Sequence, residues 1–514
     1  MRLLWIWLGI LGSSIAVSRL PAVSGVQPFW PALIALGTIL ATRQAALGLG
    51  AGVLAGAIVA ADGSLLVALQ TSFADHLMPQ IEARWHVSAI IFTLLLGAFA
   101  GVLESSGGFS SILNRMLTGS KNPEKRVLGS VYVLGLLCFF DGLANSMLTG
   151  RIARPAADQA GISRERLAWV VDSTSSPVAC VAFISTWIAT QLTLIGDSLP
   201  EADAYSLYFH SIPANPYCLL TLLLIPLAIL FRWTPQWMRR YPASPPDSAE
   251  ASSPHGAPWR VILPLIVLAG SIAASFQIWS GAPIQWTSLE TWRAAASSNA
   301  GPTALVAGAF AGLITACLCH PRQNEHRWHD AALRGATGMI PALIVLIFAW
   351  GLGSVFRTLG AAEAIQNLLG QHVPAAWLPL AVFGVAALTA FTTGSSWGTM
   401  ALLMPLALGV LVQGSEAALL PTLAPPVIGA VFGGAVFGDH ASPFSDTTIV
   451  SALASGCQPV HHVISQLPYA ATAALSATLA YLLIPSGIPP AAATGCAALG
   501  MTAAVYLLAK RSAT

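Results

Sequence analysis

Two aspartates, a histidine, two serines and two threonines occupy residues 437–448, FGDHASPFSDTT. From Thr447 to Ala509 there is no Asp, Glu, Lys or Arg, and the same holds from Ala364 to Gly414. Between Glu363 and Lys510 the only formal charges are Glu416, Asp439 and Asp446. Carboxylates without a basic partner are costly in a low-dielectric site, and either protonation or a bound cation removes that cost. A site able to do both has the minimum machinery for exchanging protons against a metal ion. Ser442, Ser445, Thr447 and Thr448 add neutral oxygens, which hard cations prefer; sodium needs neither thiolate nor imidazole. His440 is suited to relay protons or to hydrogen-bond a carboxylate. The alternative is a solvent-facing turn in which Asp446 caps the helix that follows.

A second polar set lies upstream. Asp141 directly follows the apolar run VYVLGLLCFF, with Asn145 and Ser146 about one helical turn on. Asp172 stands in AWVVDSTSSPVACVAF, where Ser173, Thr174, Ser175 and Ser176 precede Pro177. So many hydroxyls suit a wet break better than a lipid-facing helix, although an interfacial residue or a cap is the simpler alternative for either aspartate. Pro177 and Pro443 each remove an amide donor and restrict the residue before them. Gly394 and Gly438 permit close backbone approach. Trp187 and Trp397 fit equally well as packing residues or interface anchors.

The elements that must position these groups are membrane helices. The chain has 514 residues, 55% hydrophobic and 9% charged, with a mean hydropathy of +0.71. A soluble domain carries about a quarter charged residues, so these charges are too few for a water-exposed surface. The expected fold is an all-α polytopic membrane protein. Apolar stretches of spanning length fall near 3–20, 28–42, 44–61, 88–104, 127–147, 168–194, 217–231, 260–279, 303–319, 336–353, 375–410, 422–437, 467–484 and 489–508, giving 11 to 14 spans. The first stretch reads as a helix rather than a signal peptide, since a small-residue cleavage site is missing. A polar linker at 232–260 separates a transmembrane half at 1–231 from another at 261–514.

Topology does not follow from simple alternation. Positive charge in the loops 232–260 and 320–334 favours the cytoplasmic side. The basic stretches 121–126 and 151–166, however, flank one apparent span, so a segment there is re-entrant or broken, or the charge bias is weak. Breaks of this kind in corresponding places mark the substrate sites of secondary transporters. DGLANSMLTG (141–150) with DSTSSPVA (172–179) is echoed by TTGSSWGTM (392–400) with GDHASPFSDTT (438–448), which suggests internal repeats.

Other classes fit less well. A net charge of +2 without a long basic tract argues against nucleic-acid binding. Seven cysteines in mostly apolar context do not resemble a disulfide scaffold. Serine hydrolysis needs an oriented nucleophile and base, and GDHASP lacks the G-x-S-x-G turn; Cys319, His320, His326 and His329 lie around a charged loop rather than forming an evident zinc site. No Walker motif supplies nucleotide chemistry. An enzyme is therefore not expected, nor any cofactor; a passive channel is a weaker alternative to an exchanger driven by an ion gradient.

The stretches FFDGLANSMLTGRIARPAAD, ISRERLAWVVDSTSSPVACVAFISTWIA, TTGSSWGTMALLMPLA, GDHASPFSDTTIVSALASGC and HHVISQLPYA resemble the NhaC-type sodium/proton antiporter family of the ion-transporter superfamily. The resemblance implies a multi-pass secondary transporter of the bacterial cell inner membrane. Its partners would be sodium, protons and the lipid bilayer, or also a small organic acid such as malate or lactate. It marks Asp141, Asn145, Asp172, Ser173, Thr174, Ser396, Trp397, Asp439, His440, Ser442, Asp446, Thr447, Thr448 and His462, with Asp172, Asp439 and Asp446 as the expected sodium ligands. Relatives carry acidic residues just before that last histidine, whereas here the sequence is Cys457-Gln458-Pro459-Val460-His461-His462. Oligomeric state does not follow from the sequence.

Overall fold

The computed structural model describes residues 2–20, 27–42, 44–117, 122–243, 256–281, 286, 291, 300–321, 328–361, 364, 374–412, 420–443 and 445–513. Glu416, His326 and most of the central polar linker lie outside them. The secondary structure is helical throughout the described elements. The chain opens with α1 (Arg2–Ser18), α2 (Trp30–Thr42), α3 (Ala45–Ala60), α4 (Leu65–Thr71), α5 (Met78–Glu82) and α6 (Arg84–Ser105). Next come α7 (Gly108–Leu117), α8 (Pro123–Leu137), α9 (Gly142–Gln159), α10 (Arg164–Val181), α11 (Thr186–Ser198), α12 (Ala204–Ser211) and α13 (Pro216–Phe231). Then α14 (Trp259–Trp279), α15 (Gly301–Cys319), α16 (Trp328–Gly338) and α17 (Ile340–Thr358) follow. The last six are α18 (Leu378–Thr393), α19 (Ser396–Val412), α20 (Leu420–Ala441), α21 (Asp446–Ser455), α22 (Pro459–Leu483) and α23 (Pro490–Ala513).

Among the described residues eight helices are long and apolar enough to cross a membrane, or up to ten when bent pairs count as single spans. That is fewer than the 11 to 14 expected. Three of the expected spans, near 3–20, 28–42 and 44–61, are short apolar helices here, as is the Ser396–Leu411 part of the 375–410 stretch. The apolar runs 127–147 and 375–410 are each broken in two. Hydropathy measures apolar length and does not register a turn within it.

Each break has a local cause. Asp141 leaves the helical region and accepts from the Ala144 backbone N–H at 2.7 Å, starting α9 afresh. Ser185 likewise caps α11 by accepting from Ile188 N at 3.1 Å. Gly394, at φ +68°, ends α18 in the left-handed region, and Ser395 Oγ then accepts from Gly398 N at 3.0 Å. After α20, Pro443 has no N–H for the Asp439 carbonyl four residues back. That carbonyl accepts instead from Thr448 Oγ at 2.8 Å.

These breaks give two units of opposite orientation. Asn145 Nδ2 donates to Gly135 O at 2.8 Å across the α8–α9 turn, and Arg166 at the start of α10 pairs with Glu124 at the start of α8. Residues 122–126 and 164–166 therefore share one face, so α8 and α9 form a re-entrant hairpin. The conflict over the basic stretches is thereby resolved. The pair α10–α11, bent by 45°, then crosses to the other face. In the second unit α19 and the end of α11 line one cavity at that other face. The segment just before α18 also meets the end of α22, so α18–α19 is a hairpin entering from there. The broken pair α20–α21 returns, and Arg164 Nη1 donates to Gly456 O at 3.3 Å just after α21. The two echoing stretches thus sit in units whose hairpins enter from opposite faces.

The first face is basic. It carries Lys125, Arg126, Arg164, Arg166, Arg232, Arg239 and Arg240 against Glu124, Asp158 and Glu165, whereas the other carries Asp197, Glu201 and Asp203 with Arg84 and Arg357. Part of the expected linker is pinned to the helices. Tyr469 stacks on Trp169 at 3.8 Å and donates to Trp233 O at 3.3 Å. Packing is close where the site is built: a Cβ on Gly438 would lie 2.5 Å from Phe391 N, so only glycine lets α20 lie against α18 there.

Candidate ion-binding centre

Asp172 and Asp439 are both buried, at 0% and 2% exposure. Asp172 sits mid-way along α10 rather than in a break, contrary to expectation. The hydroxyls after it bond back to the helix: Thr174 Oγ to Val170 O at 2.8 Å and Ser175 Oγ to Asp172 O at 2.9 Å. The break falls further on, at 182–185. The Asp172 carboxylate accepts from Gln466 Nε2 at 2.8 Å, Ser451 Oγ at 3.0 Å, Thr448 Oγ at 3.1 Å and His462 Nε2 at 3.2 Å.

Asp439, in the last turn of α20, accepts from three hydroxyls. These are Ser445 Oγ, Thr447 Oγ at 2.8 Å and Ser176 Oγ at 3.2 Å. Ser176 follows Asp172 by one turn of α10, so one helix face touches both carboxylates. Thr448 Oγ bridges them, reaching Asp172 Oδ2 at 3.1 Å and Asp439 O at 2.8 Å. Next to Asp439, His440 pairs through Nδ1 with Tyr217 Oη at 2.8 Å, and its carbonyl accepts from Gln466 Nε2 at 2.5 Å. Six helices from both halves, α9, α10, α13, α20, α21 and α22, meet in this network.

Of the expected residues, Asp172, Asp439, His440, Thr447, Thr448 and His462 join directly. Asn145 is one residue from Ser146, which accepts from Ser451 Oγ at 2.9 Å, so it borders the network. Ser173 and Thr174 are buried on α10, and Ser442 is buried in the break after α20. Asp141 belongs to a separate cluster. It accepts from Thr186 Oγ at 2.8 Å, and Thr186 N donates to Phe140 O at 2.9 Å, joining the breaks before α9 and α11. There Trp187 meets Trp397 edge-on with ring centroids 5.9 Å apart, and Ser396 stands beside it at the start of α19.

Asp446 is placed differently from the expectation. It is exposed, in the first turn of α21 with Ser445 as N-cap. Seven residues separate it from Asp439, but the helix break between them turns it away. Among the described residues no three His, Cys, Asp or Glu side chains group as they would around a metal ion. In this structure Asp446 therefore stands apart from Asp172 and Asp439. The residues that complete the network, Ser451, Gln466 and Tyr217, were missing from the expected set. Two had a periodic signal: Ser451 follows Thr448 by three, and Gln466 follows His462 by four, each on a shared helix face.

Such buried carboxylates, wrapped in hydroxyls where broken helices of both halves meet, suit a coupled transporter. Residues 178–485 match the sequence model of the Na+/H+ antiporter family. The chain belongs to this family. It is a multi-pass membrane protein that carries out secondary active transport as a member of an ion-coupled antiporter family, and not an enzyme. A Haemophilus influenzae protein described as uncharacterized is 28% identical over 95% of this chain and 96% of its own length. Two partial matches add detail. A Haemophilus influenzae protein described as an uncharacterized Na(+)/H(+) antiporter is 29% identical over 32% of this chain and 33% of its own. The malate-2H(+)/Na(+)-lactate antiporter of Bacillus subtilis is 28% identical over 27% and 28%. In fold the chain is similar to the YdaH transporter of Alcanivorax borkumensis, with TM-score 0.57 and 18% identity over 83% of this chain and 90% of that one. It is also similar to MtrF of Neisseria gonorrhoeae, with TM-score 0.51 and 13% identity over 83% and 85%.

Proposed function

We propose that this antiporter exchanges sodium for protons across the bacterial inner membrane, as an NhaC-type member of its family. The observation that carries the reading is the pair Asp172 and Asp439, both buried, with hydroxyl, amide and imidazole partners and no Lys or Arg among those hydrogen bonds. A carboxylate in such a place is neutralised by a proton or by a small cation, and exchange of one for the other is antiport. Hydroxyls donate to an ionised carboxylate and, after rotation, offer lone pairs to a hard cation. Hairpins entering from opposite faces let the centre open to one side at a time. The basic face is cytoplasmic by the positive-inside rule.

In everted vesicles, added sodium should collapse a preformed acid-inside gradient, and lithium should substitute better than potassium. An unchanged gradient with correctly folded protein would rule out sodium/proton exchange. The partial likeness to a malate/lactate exchanger favours a second reading, in which an organic acid travels too. A sodium response that appears only when a dicarboxylate or lactate is supplied would select it. A cysteine at Arg240 should react with a membrane-impermeant thiol reagent in everted vesicles and not in intact cells; the reverse would invert the orientation.

A further inference from the structure

The two carboxylates are wrapped in different chemistry. Around Asp439 the side-chain donors are all hydroxyls: Ser176, Ser445 and Thr447. Around Asp172 two of the four donors are N–H groups, from Gln466 and His462, the others being Thr448 and Ser451. The distinction matters to a cation. A hydroxyl carries lone pairs as well as a proton and can turn them toward a metal ion, whereas an amide N–H offers only positive partial charge. Gln466 has no freedom to turn. Its nitrogen faces two acceptors, Asp172 Oδ2 at 2.8 Å and His440 O at 2.5 Å. A flip would set its carbonyl oxygen against a carboxylate and another carbonyl.

We infer that the transported cation is held at Asp439, among Ser176, Ser445 and Thr447, and that Gln466 closes Asp172 to it. Gln466 is thereby a specificity-determining residue. The assignment rests on the antiport reading and deepens it. The two carboxylates still sense each other through Thr448, whose single hydroxyl proton lies between Asp172 Oδ2 and the Asp439 carbonyl. That carbonyl is free to accept because Pro443 has no N–H to give it. A cation drawing on the oxygens at Asp439 alters the acceptor that Thr448 can choose, and Asp172 feels the change.

The test is direct sodium binding to purified protein in lipid nanodiscs, measured with radioactive sodium, with thermal unfolding as a check on folding. D439N, or S445A combined with T447A, should weaken binding about tenfold or more. D172N removes a nearby charge but no ligand oxygen of the cation, and should weaken binding several-fold less than D439N. The nearly isosteric Q466M removes both N–H donors, and sodium bound per protomer at saturation should rise. If it misfolds, Q466L serves, since it too lacks the donors. Equal loss in D172N and D439N would overturn the assignment of the cation to Asp439. Unchanged stoichiometry in Q466M and Q466L would overturn the role of Gln466. No sodium binding by the unaltered protein would instead overturn the antiport reading, and this assignment with it.

Discussion

His86 and Asp197 approach to 3.1 Å near the acidic face, and His462 and Asp172 approach to 3.2 Å in the interior. In the first pair both imidazole nitrogens are engaged. Nδ1 bonds Gln80 O at 2.7 Å, Nε2 bonds the carboxylate, and the ring stacks on Trp350 at 3.8 Å. Trp350 in turn donates to Thr193 Oγ at 3.2 Å. The Asp197 side chain is 28% exposed and keeps access to water. In the second pair both side chains are fully buried, while His462 Nδ1 and Gln466 Oε1 have no hydrogen-bond partner among the described residues. The same two residue types thus make a satisfied clasp joining α6, α11 and α17, and an interior centre with spare polar capacity.

The sharpest separation of the two pairs is in transport. D172N keeps the size of the side chain while removing its charge, and sodium-driven proton flux in everted vesicles should fall by about two orders of magnitude or more, since neutralisation is the transported event. D197N should keep flux within about threefold, because a partly exposed pair contributes little beyond its geometry. Equal losses would erase the contrast and make the clasp part of the transport path.

In stability the order should reverse. H86Q gives up a stacked ring and leaves Gln80 O or Asp197 short of a donor, a loss of about 2–3 kcal/mol from packing and hydrogen bonding. H462Q can still donate to Asp172 and should cost about 1 kcal/mol. Thermal unfolding of the purified variants in one detergent checks this, with the larger fall in midpoint expected for H86Q. A larger fall for H462Q would make the interior pair the structural one.

The contrast explains what was legible in the sequence. Asp439, with Thr447 and Thr448, stands out because stretches without charge make any polar group conspicuous, Asp172 because of the hydroxyls that follow it, and His462 only through the family resemblance. The clasp went unnoticed, as His86 and Asp197 lie near other charges and only folding joins them. Gln466 and Ser451 look ordinary by residue type and gain meaning from the helix face they share with His462 and Thr448. The sequence marks breaks without fixing where each of them falls. Ser-Pro after Asp172 stays helical because hydroxyl back-bonding and Pro177 are both tolerated there, whereas the break comes where Ser185 can cap α11. The span count came out too high for a related reason, since a hairpin such as α8–α9 has the hydropathy of a crossing.

The smallest effect tests where the interior centre ends. Asp446 shares the charge-poor sequence context of Asp439 but is exposed at the start of α21, one residue after its N-cap. Its side chain is exposed and is favoured there by the positive end of the helix, an interaction worth about 0.3–1 kcal/mol. D446N removes that interaction and leaves Ser445, Thr447 and Thr448 in place to bond Asp439 and Asp172. Flux should stay within about threefold of the unaltered protein, and the sodium concentration for half-maximal exchange should hardly move. Its neighbour provides the control: T447A is one position along, but its hydroxyl points at Asp439, and it should raise that concentration several-fold. The exchange rate is therefore measured against sodium for both variants in the same proteoliposomes. If D446N proved as damaging as D439N, α21 would have to turn its first residue inward during transport, and the centre would include a third carboxylate.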